Sequence, residues 1–224
     1  MRRIVPLHPA EPDAVKPAGT RVRGVARSRA QVMASIHRAA IEVFAKEGLT
    51  GASTQAIAEQ AGLSKARLHY YIESKEDLYR QVLQDIVDDW ISVFGFADEA
   101  FGPRKVLGDY IRRKMMFSFE QPLRSRIFAA EMMRGAPVLR TMLSNSKRRT
   151  DQAAGVIRNW IDQGLLGPID PLLLMFNIWA MTQFYADHAD QVHYFSGKLF
   201  DDVRSRDALI AQTTEFILKG AAVK

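Results

Sequence analysis

The chain has no cysteine in its 224 residues. That excludes disulfides and thiolate metal sites, and it fits a reducing, cytoplasmic setting. Long hydrophobic runs are also missing: the most apolar stretch, Leu172 to Met181, is too short to cross a bilayer and is interrupted by Asn177, so no membrane partner is expected. The N-terminal stretch MRRIVPLHPAEPDAVKPAG is basic but has no apolar h-region, so it does not read as a secretory signal. Neither a phosphate-binding glycine loop nor a nucleophile elbow occurs. The five histidines are scattered, and His188 and His193 stand five apart, a spacing that does not place two metal ligands on one helical face as four would. Together with Asp187 and Asp190 they read as a solvated helix end. No metal, cofactor or catalytic constellation is expected, and an enzyme would lack residues for turnover. No segment reads as a convincing strand, and there is no internal repeat.

What is present is helical pattern and unevenly placed charge. The net charge of +6 divides into 13 Lys and Arg against 8 Asp and Glu in residues 1–80, and 18 against 17 in residues 81–224. The basic excess therefore sits in the first third of the chain, as expected of an end that meets polyphosphate. Within it, residues 1–27 hold Pro6, Pro9, Pro12 and Pro17 among basic residues and read as a disordered tail by composition. Arg21, Arg23, Arg27 and Arg29 precede the first helix, where such an arm can reach a minor groove or serve only as a solubilising tail.

Residues 53–78, STQAIAEQAGLSKARLHYYIESKEDL, carry the densest signal. Ser53 and Thr54 can cap a short helix whose Ile57, Ala58 and Ala61 share one face. Gly62 suits a left-handed C-terminal cap. Ser64 caps a second short helix from Lys65 to about Tyr71, and Ser74 a third that opens with Lys75. Two short helices joined by a tight turn form a helix-turn-helix, whose second helix reads the DNA major groove. That helix is both basic and aromatic. Arg67 can donate two hydrogen bonds to a guanine edge. Thr54, Ser64, Lys65, Ala66, Tyr70, Tyr71 and Lys75 are assigned to the DNA interface, chiefly on the phosphate side, and His69 suits either role. A lysine in the first turn of a helix opposes the helix dipole, so Lys75 is expected to have another task, such as meeting a phosphate.

The rest of the pattern is helical throughout. A first helix spans about Arg29 to Glu47 with Val32, Ile36, Ala40, Val43 and Phe44 in one stripe, and ends at Gly48. A long helix follows from Lys75 to Phe96; others cover 103–120, 124–134, 138–163, 171–195 and 204–218, and Asp170-Pro171 is an N-cap with proline in the first turn. The expected fold is all-α with about nine helices: a helix-turn-helix domain over residues 28–74 and a helical ligand-binding and dimerisation domain over residues 75–222. The helix from Pro171 is apolar nearly all round and must be buried all round. Half of it against the subunit and half against a two-fold mate is one solution, and such a homodimer suits DNA half-sites about 34 Å apart. The central helix of a monomeric bundle is the other. In the same stretch Trp179 and Gln183 stand one helical turn apart, so both can face one cavity, and the Gln183 amide can both donate to and accept from a planar ring. Trp90, Phe117, Phe128 and Met132 can supply apolar walls or ordinary core.

The segments Ile57 to Lys65, Leu68-His69-Tyr70-Tyr71 and Ser74 to Leu78 resemble the TetR family of bacterial regulators, with Ile72 where that family has phenylalanine. Residues 125–139, 167–171 and 178–187 resemble a branch of it that answers to pyrimidines, and the resemblance covers roughly residues 28–222. It implies a dimeric repressor that binds a pseudo-palindromic double-stranded operator and is released by uracil or thymine. It also brings Tyr185 into the ligand-binding set. A family member answering to a different small molecule, or an architectural DNA-binding module, is the alternative.

Overall fold

The structure is a computed structural model that describes residues 28–93, 96, 99–197 and 202–224. The expected N-terminal tail, with Arg21, Arg23 and Arg27, lies outside the described residues. Ten α-helices and no strand occur among those described: α1 (Arg29–Gly51), α2 (Thr54–Gln60), α3 (Lys65–His69), α4 (Lys75–Val93), α5 (Gly102–Glu120), α6 (Pro122–Met133), α7 (Ser144–Asp162), α8 (Pro171–Asp187), α9 (Ala189–Ser196) and α10 (Val203–Gly220).

Local chemistry sets most boundaries. Ser28 and Gln31 form a reciprocal capping box at the start of α1. Ser53, Ser64 and Ser74 each accept from a backbone N–H three residues on, at 3.1, 3.2 and 3.0 Å. Gly62 has φ 69°, and Leu63 N–H donates back to Ala58 carbonyl at 2.9 Å, the six-to-one bond of a Schellman turn. Asp170 caps α8 through Leu173 N–H at 2.8 Å, with Pro171 in the first turn.

Three expectations shift. Gly48 does take φ 65°, but helical turns resume after it and α1 reaches Gly51, so the glycine marks a kink and not the end. The helix expected over 138–163 begins only at Ser144, after a short 3-10 turn at Leu139–Thr141. The apolar helix expected over 171–195 is two helices: His188, at φ −116° and ψ 33°, turns the chain, and its ring stacks on Phe184 at 4.6 Å.

Two cores result. The first is built from α1 to α4, with Ile36, Ile57, Leu68, Leu78 and Ile86 fully buried, and it continues into the body through Ile127 on α6 and Leu139. Each such side chain contributes about 1.5–3 kcal/mol on burial. The second core joins α5, α7, α8 and α10 around Leu107, Ile111, Ile157, Trp160 and Ile178. α6 bridges them, packing on α1 and α4 on one side and on α8 on the other.

Candidate nucleic-acid interface and ligand cavity

Leu68 fixes the presentation of α3. It is fully buried, while Lys65, Ala66, Arg67 and His69 on the same short helix, and Tyr70 at its C-cap, are exposed. Burying one leucine in five residues leaves the other faces to solvent. Tyr71 is half-buried and meets the Tyr70 ring edge-on at 5.3 Å. Arg29, at the start of α1, holds its guanidinium 6.0 and 5.9 Å from these two rings, adding a cation to the same surface. Thr54 is half-buried at the first turn of α2. The Ser64 hydroxyl is engaged in capping α3 through Arg67 N–H. Lys75 has the other task its position calls for, but the structure gives it a protein partner: its ammonium donates to the Ala52 carbonyl at 2.8 Å and stands 3.9 Å from Glu76, tying the start of α4 to the α1–α2 turn. The exposed candidates lie on and beside α3, and Lys75 ties the start of α4 to the turn before α2.

A cavity of about 640 Å³ lies where the two cores meet. Trp90 from α4 and Phe128 and Met132 from α6 form one wall; Met175, Trp179 and Gln183 from α8 form another. Five of the seven residues expected in a ligand site therefore line one space. The Trp90 and Phe128 rings lie 4.1 Å apart between centroids. Trp179 donates its indole N–H to the Tyr110 hydroxyl at 2.7 Å, which fixes its ring. Burial pushes the Tyr110 phenol up to about 12, against that hydrogen bond. Phe117 does not line the cavity but packs edge-on behind Trp90 at 6.2 Å. Tyr185 does not line it either: two residues past Gln183 is about 200° around a helix. It packs against Phe119 at 6.0 Å and borders a separate groove of about 260 Å³.

Three side chains at this site escape sequence reasoning. Lys114 on α5 lines the cavity at 6% exposure, with its ammonium 4.9 Å from the Trp90 ring centroid. Burial pulls its pKa from 10.5 down to about 7, against the opposing charge of Asp187. Asp187 is not a solvated helix end: burial raises its carboxyl, against the hydrogen bond it accepts from Ser125 Oγ at 3.3 Å. Glu131 on α6 is fully buried beside the cavity wall, accepting from the Tyr79 hydroxyl at 3.2 Å and from Val138 N–H at 2.7 Å. For Glu131 the one available signal was its spacing from Phe128 and Met132, which puts all three on one helix face.

Comparison with known proteins agrees with this geometry. Residues 36–82 match the family described as bacterial regulatory proteins, tetR family, and residues 83–224 match the one described as YcdC-like protein, C-terminal region. The HTH-type transcriptional regulator RutR of Escherichia coli (strain K12) is 38% identical over 208 residues, covering 92% of this chain and 96% of its own. The fold is shared with the ketosteroid transcriptional regulator KstR2 of Mycobacterium tuberculosis, at TM-score 0.69 and 16% identity over 88% of this chain and 97% of that one. It is shared also with AibR in complex with isovaleryl coenzyme A and operator DNA, at TM-score 0.62 and 18% identity over 83% and 97%. The chain belongs to the TetR family of bacterial regulatory proteins and is a ligand-responsive, DNA-binding transcriptional regulator, not an enzyme.

Proposed function

We propose that this regulator acts as a homodimeric repressor, released from a pseudo-palindromic operator by a planar effector that occupies the cavity between the two cores. A pyrimidine such as uracil or thymine is the starting candidate, by the resemblance to the pyrimidine-answering branch. One observation carries the reading. The cavity wall is made by Trp90 on α4 and Phe128 on α6, and both rings pack on the buried cluster that forms the core of the reading head. A ligand that moves either helix therefore changes the placement of α3. It lowers DNA affinity by its preference for the released arrangement over the bound one.

On the DNA side, Arg67 reads a guanine edge while Lys65, Tyr70 and Arg29 meet phosphates. A dimer supports the two-site geometry through α8, whose Leu172, Leu173, Phe176 and Phe184 remain 38–53% exposed while Leu174, Met175 and Ile178 are buried. An exposed apolar stripe of that kind calls for a protein partner.

The test uses the duplex upstream of the protein's own gene. The free protein is expected to bind it in preference to random duplex, and uracil or thymine to weaken that binding. Arg67→Ala is expected to cost about 1–3 kcal/mol on this duplex and much less on random DNA, read by fluorescence anisotropy. Equal losses on both duplexes would remove Arg67 from base readout. No response to either pyrimidine would remove them as effectors and leave the regulator in place.

A further inference from the structure

The cavity carries more positive charge than a neutral ring requires. Among the described residues it is lined by three cations, Lys114, Lys147 and Arg149, and one carboxylate, Glu99. They are not grouped at random. Arg149 and Lys147 on α7 are exposed and stand toward solvent, Lys147 paired with Asp151 at 2.7 Å, whereas Lys114 on α5 is buried among the aromatic walls. An anion would meet cations on entry and again at the inner end.

Holding an ammonium at 6% exposure is costly unless charge or hydrogen bonds compensate it. The Trp90 ring face contributes some compensation, and Asp187 adds an opposing charge from α8. Burial still pulls its pKa down to about 7. A second carboxylate, brought by a ligand into a low-dielectric space, would add far more here than the same pair at a surface. Size points the same way. At about 640 Å³ the cavity lies within the range of about 300–1,000 Å³ typical of drug-sized ligands, so one bare pyrimidine ring leaves much of it unfilled.

We infer that the effector of this cavity is a planar ring bearing a carboxylate, with the carboxylate paired to Lys114 and the ring held between Trp90 and Trp179 within reach of the Gln183 amide. The inference rests on the reading of this cavity as the effector site. A carboxylated pyrimidine or a carboxylated bicyclic ring satisfies both readings. A neutral ring satisfies only the first.

Matched pairs test it. The full chain is titrated calorimetrically near neutral pH with uracil and uracil-6-carboxylate, and with indole and indole-3-carboxylate. In at least one pair the carboxylate is expected to bind about tenfold tighter than its neutral partner, a difference of about 1.4 kcal/mol. In Lys114→Met that ratio is expected to fall close to one. Methionine fills the volume of the lysine stem and removes a buried charge, so the variant is expected to fold; Lys114→Gln, with thermal melts of both, provides a second readout. Neutral members binding as well as the carboxylates would overturn the inference, as would failure of both carboxylates to bind, or a preference that survives in both variants. Failure of the underlying regulator reading shows elsewhere, as a free protein with no preference for its upstream duplex.

Discussion

A lysine inside a run of cations is ordinarily a surface residue, and Arg112, Arg113 and Lys114 form such a run in sequence. Their fates differ because α5 turns each to a different neighbour: Arg112 is exposed and pairs with Asp207 at 2.9 Å, while Lys114 is buried against Trp90. The buried lysine makes a stability prediction. Its pKa is about 7 folded and about 10.5 unfolded, so between these values the unfolded chain binds more protons and stability rises with pH. Below about 7 the full cost of burying the charged form is present. Denaturant midpoints are therefore expected to climb from about pH 7 to about pH 9 in the parent, and to climb less in Lys114→Met. Tyr110 does not confuse this window, because its raised pKa of about 12 lowers stability only once the unfolded phenol ionises near 10. Identical slopes in both proteins would mean that Lys114 is not desolvated as described.

At the scale of elements, α6 connects the reading head to the cavity. Its Phe128 and Met132 line the cavity, its Ile127 belongs to the head's core, and its Glu131 accepts from Tyr79 of α4 and from Val138 of the following loop. Tyr79 in turn meets Phe44 of α1 edge-on at 4.9 Å. Glu131→Ala leaves the Tyr79 hydroxyl and the Val138 N–H without this acceptor, each at about 1–3 kcal/mol. The unfolding midpoint is expected to fall by on the order of 10 °C, measured by calorimetry, and Glu131→Gln to lose less because it keeps an acceptor. A melting point unchanged in the alanine variant would show that the network contributes nothing. The sequence marked most helix starts, since serine and aspartate caps bond three residues on and proline presets the first-turn φ where no N–H is needed. It did not mark the turn at His188, where no glycine or proline stands; there the chain bends under packing, with His188 stacked on Phe184.

For the whole molecule, the exposed stripe on α8 is the face on which the proposed dimer is tested. Phe176 is 53% exposed between the buried Met175 and Ile178, so Phe176→Glu places a charge in any interface while sparing the subunit core. The variant is expected to elute at about half the parent mass in light scattering. It is also expected to lose operator affinity while keeping weak binding to random DNA, because two linked heads bind a paired site far more tightly than one. An unchanged mass would move the interface away from α8. Two of the residues expected in the ligand site, Phe117 and Tyr185, stand outside the cavity for reasons belonging to this scale: helix rotation sends one behind Trp90 and the other toward Phe119.

The amino-acid sequence by itself determined the helix-turn-helix, its exposed basic and aromatic reading helix, and the all-helical body. These rest on caps, turns and periodicities that act within a few residues. It also singled out Trp179 and Gln183, because a polar residue in an apolar helix is visible without coordinates. Only the tertiary structure decided that Lys114 is buried, that Asp187 accepts from Ser125, that Lys75 ties α4 to the Ala52 carbonyl, and that α6 packs on both α1 and α8. Each of these depends on which distant segments meet, and burial and partner charge, which set the chemistry of an ionisable group, are properties of that meeting.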